Sequence, residues 1–130
     1  MPSFLSVPIP YRWLVTLAFI ALVVVLSVTP GRTQPDDSIF AWLIVNTSRP
    51  MQKVLHFIVY ATLAMLWMWT FDALESNRLR IVLALTLTIG LGTSLEWYQT
   101  TVPGRFGTLT DVLLNIAGAV AGLLFILVLF

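Results

Sequence analysis

The sequence has 130 residues, 58% of them hydrophobic and 10% charged, with a formal net charge of +1 and no cysteine. A soluble domain of this length cannot cover so much apolar surface with so thin a polar shell, so lipid is the expected solvent. The charge balance argues against a nucleic-acid partner and gives no polybasic grip on anionic headgroups, and the lack of thiols excludes a disulfide framework.

Four apolar runs are expected to cross the membrane as helices, over about 13–28, 54–71, 81–99 and 112–130. A hydrocarbon core of roughly 30 Å takes about 20 helical residues, fewer where interfacial anchors help. Backbone groups in lipid must pair within the segment, and short polar links separate the runs, which leaves helices as the form. The expectation is an all-α membrane protein, one domain over residues 1–130, built as a bundle of four transmembrane helices. The first run follows "YRW" like a signal peptide, but no small-x-small cleavage site precedes "TPGRTQP", so it reads as a retained helix.

The first link, residues 29–52, contains "SIFAWLIV", a largely apolar stretch only eight residues long and too short to span. With Asp36, Asp37 and Ser38 as N-cap residues it reads as a short interfacial helix or re-entrant lip; the alternative is a loop with a hydrophobic plug. The second link, "DALESNRLR", is a tight turn between antiparallel helices. In the third, "TTVPGRFGTLT", Pro103, Gly104 and Gly107 provide turn geometry. Thr108 and Asp111 have the capping-box spacing that starts the fourth helix.

Antiparallel threading puts alternate links on one side of the membrane, which gathers most of the scarce polar residues there. Lys53, His56 and Tyr60 open the second helix, three and four residues apart and so on one stripe. Glu96 and Gln99 close the third helix, Arg105 lies in the link, and Asp111 and Asn115 open the fourth. Below Asp111 and Asn115 come Gly118 and Gly122; below Glu96 come Gly92 and Thr88. Small residues at that spacing let helices approach closely, so three helices each carry a polar lip above a packing seam.

Ionisable residues within a span are costly and mark functional sites by default, most of all when acids, bases and a histidine share one place. The structural alternative is that Glu96 and Asp111 pair with Arg105 and Lys53 to staple helix ends. His56, Glu96 and Asp111 could give a divalent ion one nitrogen and two oxygens. Lys53 and Arg105 oppose a cation, however, and no ligand pair has a recognised metal spacing, so no metal and no other cofactor is expected. Nor is a nucleophile apparent: Ser94 lies on another face from Glu96, and Thr108 is taken up as a cap.

With those residues assembled, the sequence resembles the VanZ-like family of small bacterial membrane proteins. The resemblance lies in "KVLHFIVYATLAML" and "EWYQTTVPGRFGTLTDVLLNIAGAVAG", within residues 51–122. These are similar to the family's Lys-x-x-His-Phe-x-x-Tyr and Glu-x-x-Gln-x-x-x-Pro-Gly-Arg…Asp-x-x-x-Asn-x-x-Gly signatures. One departure is Gln52, where an acid often precedes the family's lysine. The resemblance carries over Lys53, His56, Tyr60, Glu96, Gln99, Arg105, Asp111 and Asn115 as motif positions, without catalytic roles. It also implies a link to the cell envelope, since the family's namesake is associated with resistance to the glycopeptide teicoplanin.

Arg12, Arg78 and Arg80 lie on the side of the N-terminus, against Arg32 and Arg49 beside the polar cluster. That bias places the N-terminus in the cytoplasm and the cluster on the outer side of a bacterial inner membrane. The leading functional expectation is a polar pocket for a lipid headgroup or envelope metabolite, with membrane lipids as the other partners. A small intramembrane hydrolase or transferase using His56 and Glu96 for proton transfer, with Asp111 the remaining catalytic candidate, and a scaffold protein stand as alternatives. Transport ranks last, because polar groups at one end leave no path through the other half. The ligand and the oligomeric state are not legible.

Overall fold

The computed structural model describes residues 6–28, 39, 46, 48–102 and 108–129. The expected interfacial segment at 38–45, apart from Ile39, and the turn at 103–107 with Arg105 therefore lie outside the described residues. Four helices are long and apolar enough to cross a membrane, and no strand occurs among the described residues. They are α1 (Ile9–Val28), α2 (Arg49–Thr70), α3 (Asn77–Gln99) and α4 (Leu109–Leu129). A single 3₁₀ turn, Phe71–Ala73, extends α2.

Each helix begins ahead of its apolar run, at Ile9, Arg49, Asn77 and Leu109 where 13, 54, 81 and 112 were expected. Hydropathy marks the part that lipid covers, whereas a helix starts where its first orphan N–H groups find acceptors. Those acceptors are polar and lie outside the apolar runs. Ser48 Oγ accepts from Met51 N at 3.4 Å, with a proline in the first turn of α2. Ser76 Oγ accepts from Leu79 N at 3.2 Å. Thr108 Oγ1 accepts from Asp111 N at 3.1 Å, the threonine half of the expected capping box.

Hydrogen bonds between helix ends fix the topology. Arg12, near the start of α1, donates to the Trp69 carbonyl at the end of α2 at 3.0 Å. Gln99 Nε2, at the end of α3, donates to the Ser27 carbonyl at the end of α1 at 3.1 Å. His56 and Asn115, near the starts of α2 and α4, are hydrogen-bonded at 3.0 Å. So α1 and α3 run one way and α2 and α4 the other, as alternating threading requires. Helix α2 is central and packs on α1, α3 and α4, most extensively on α4.

The α2–α4 crossing is close because α4 offers glycines to the α2 backbone. A Cβ at Gly118 would lie 2.5 Å from the Phe57 carbonyl oxygen, and one at Gly122 nearer still to that of Ala61. Below this seam Leu63, Ala64, Ala84 and Ala119 are fully buried, with Met68, Leu123 and Val23 around them. Trp67 stacks on Phe71 at 5.2 Å, and Trp13 meets both edge-on. Large apolar side chains such as Leu14, Leu124 and Val128 point outward, the surface a bilayer wets.

One buried polar pair joins α1 to the end of α2. Thr70 Oγ1 donates to the Leu66 carbonyl, so the 2.7 Å contact with Thr16 has Thr16 as donor. Thr16→Val removes that donor at nearly constant shape and is expected to lower stability by about 0.5–1 kcal/mol. Reversible unfolding in mixed micelles measures it.

Candidate functional site

The starts of α2 and α4 and the end of α3 meet at one membrane face. Glu96 and Asn115 are buried at 3% and 2% exposure, Tyr60 is buried too, and His56 and Asp111 are partly exposed. One ligand atom from each of His56, Glu96 and Asp111 lies within 4.8 Å of the others. The expected convergence of these residues from three helices is therefore present.

Its floor is Asn115. An amide oxygen only accepts, so His56 donates through Nδ1–H to Asn115 Oδ1 at 3.0 Å, which leaves Nε2 as the ring nitrogen that can offer a lone pair. Tyr60, one turn along α2, stacks under the imidazole at 6.2 Å and 13°. Gly92 leaves room for both: a Cβ there would lie 2.9 Å from Asn115 Nδ2 and from Tyr60 Cε1. Asn115 Nδ2 is buried with no hydrogen-bond partner among the described residues.

Electrostatics make this an expensive place for acid. Glu96 sits in the last turn of α3, where unpaired carbonyls carry partial negative charge, and it is removed from water. A carboxylate is stable there only with compensating positive charge or donors. Asp111 is better placed, in the first turn of α4 against the positive end of that helix.

Other expected members behave differently. Gln99 is buried, but its amide nitrogen is turned to the Ser27 carbonyl, an orphan acceptor at the end of α1. Lys53 is exposed at the rim. Neither Lys53 nor Asp111 enters a salt bridge among the described residues, which removes a Lys53–Asp111 staple. Trp97 and Tyr98 are exposed beside the site, placed as interfacial aromatics.

The sequence reading confined the polar groups to one end; the structure holds a second polar knot at the other. Arg12, 5% exposed, donates to the Val7 and Trp69 carbonyls and lies over the Trp69 ring. Its guanidinium shares the Asp72 carboxylate with Arg80, at 3.5 and 3.0 Å, and Arg80 also donates to the Met68 carbonyl. Cations at these carbonyls complement the end of α2, which identifies the knot as a helix cap. Only the sign of Arg12 and Arg80 entered the sequence argument. The usable signal was an arginine three residues inside a helix of almost wholly apolar composition.

No curated protein and no solved structure matches the chain. The four spans make it a multi-pass membrane protein. Its sequence matches the VanZ/LLP1 family over residues 5–130, nearly the whole chain, and the chain belongs to that family.

Proposed function

We propose that this niche binds the polar headgroup of a lipid, or of a lipid-linked envelope molecule, entering from the membrane surface. The observation that supports it most is Asn115: a buried amide whose oxygen orients His56 and whose Nδ2 has no acceptor among the described residues. Buried donors are almost always satisfied, so an unsatisfied one beside acids and a histidine points to an oxygen brought by a ligand. Lys53 at the rim attracts an anionic group, Glu96 and Asp111 accept hydroxyl protons, and Tyr60 lines the wall. Arg105, at its motif position, is assigned to the same anionic group.

The protein is assigned to a bacterial inner membrane with its N-terminus in the cytoplasm and the niche outside, following the arginine bias and the family resemblance. Labelling of a Gly107→Cys variant from each side of the membrane tests this, since the native chain has no thiol. A changed teicoplanin susceptibility on deletion is the cellular effect that the family resemblance implies.

The binding test is native mass spectrometry from nanodiscs of mixed zwitterionic and anionic lipids. Asn115→Leu removes both the orienting oxygen and the free donor, and retention of anionic lipid is expected to fall about tenfold, the equivalent of one charge-assisted hydrogen bond. Equal retention by the wild type and by stable Asn115→Leu and Asp111→Asn variants would overturn the reading. Turnover of a retained lipid would instead favour the enzyme reading, for which a base oriented as His56 is oriented gives the specific ground.

A further inference from the structure

We propose that the niche holds a divalent transition-metal ion on His56, Glu96 and Asp111. Three donor atoms within 4.8 Å of one another share a centre at most about 2.8 Å from each. Metal–ligand bonds to imidazole and carboxylate are about 2.0–2.2 Å, so the trio needs to contract by only about half an ångström. Asp111, partly exposed in a first turn, has the freedom to make that movement. One nitrogen and two carboxylates suit zinc or manganese better than calcium or magnesium.

Three further observations point the same way. First, an imidazole and two carboxylates drawn from three helices to within 4.8 Å of one another present the donor set and negative charge that suit a divalent cation. Second, the His56–Asn115 hydrogen bond is what an imidazole ligand requires: Nδ1–H is fixed on a buried oxygen and Nε2 is left basic. Third, Asn115 Nδ2, without a partner among the described residues, offers a donor to an oxygen on the ion, whether from water or phosphate. The rim lysine, Lys53, is exposed and able to turn to solvent. Spacing in the sequence gave no metal motif because the three donors come from three helices.

The ion deepens the headgroup reading and rests on it only for the occupant of the remaining coordination positions, where a phosphate oxygen would bind. The chain has a single histidine, which makes the test direct. Full-length protein, stripped of metal and of any purification tag, is loaded in detergent with Mn²⁺ or Cu²⁺ and examined by pulsed electron paramagnetic resonance. Imidazole-nitrogen coupling is expected at one ion per chain, and only His56 can produce it. Equilibrium dialysis against Zn²⁺ is expected to show an affinity at least about tenfold weaker in Asp111→Asn than in wild type, with Arg78→Gln, exposed at the other end of the bundle, unchanged.

A wild-type protein with no imidazole coupling, or one that binds Zn²⁺ no better than the His56→Ala/Glu96→Gln double variant, overturns the ion. The two readings separate on chelation. Lipid retained after metal stripping, with no coupling on reloading, sinks the ion and leaves the headgroup site. Coupling without any lipid retention leaves the ion and sinks the headgroup site.

Discussion

Gly122→Ala is expected to destabilise the bundle more than any other single methyl addition. The new Cβ would meet the Ala61 carbonyl, carbon and Cα, all backbone of α2, and no rotamer change can relieve that contact. The helices must separate, and overpacking of this kind costs about 1–3 kcal/mol or more. Gly118→Ala strikes the Phe57 carbonyl in the same way, one turn nearer the niche. Gly90→Ala is the control: nothing lies within 4 Å of its Cβ, and alanine favours the helix by up to about 1 kcal/mol over glycine. Unfolding of the three variants in mixed micelles gives the comparison. Equal stability of Gly122→Ala and wild type would mean that α2 and α4 do not cross at this distance.

The same substitution has a functional consequence. His56 and Asn115 sit on α2 and α4, just above the Gly118 contact, and their hydrogen bond is only 3.0 Å long. Hydrogen bonds weaken steeply with misalignment, so parting the helices should release the imidazole before the bundle unfolds. Lipid retention is therefore expected to fall in Gly118→Ala at temperatures where the fold persists.

Asp72→Ala is expected to have the second largest effect, confined to the other end. One carboxylate serves two guanidiniums, whose side chains are 7% and 19% exposed. Its removal leaves two largely buried like charges facing each other, still held by the carbonyls of α2. Breaking a fully buried pair costs about 3–5 kcal/mol. The Asp72 side chain is 40% exposed, and water screens part of that, so about 1–3 kcal/mol is expected. Arg78→Ala, an exposed change on the same link, should fall within about 0.5 kcal/mol of wild type. Because the knot lies across the bundle from His56, ion and lipid binding by folded Asp72→Ala should match wild type. A loss of binding without a loss of stability would refute the assignment of this knot as a cap.

The two ends show how differently a sequence exposes its polar groups. Glu96, Asp111 and Asn115 were legible because each interrupts an apolar run at helical spacing above a small residue. Arg12 and Asp72 were not, since one stands at the edge of an apolar run and the other inside a polar link. Their relation depends on α1 crossing the end of α2, which no periodicity along the chain encodes. Gln99 shows the converse. It was assigned to the niche from its place at the end of α3, and its side chain turns instead to Ser27.

By itself the sequence determined that four helices cross a membrane, and that alternate links put His56, Glu96, Asp111 and Asn115 near one face. Both follow from local facts: a run of apolar residues needs lipid, and a helix in lipid must pair its own backbone. Only the tertiary structure decided which polar groups meet. Asn115 faces His56, Gln99 faces Ser27, and Asp72 is shared by Arg12 and Arg80. The rotation of each helix about its axis is set by how its small residues fit a neighbour's backbone, as Gly118 and Gly122 fit Phe57 and Ala61. That fit is a property of two helices at once, and it exists only when they are packed.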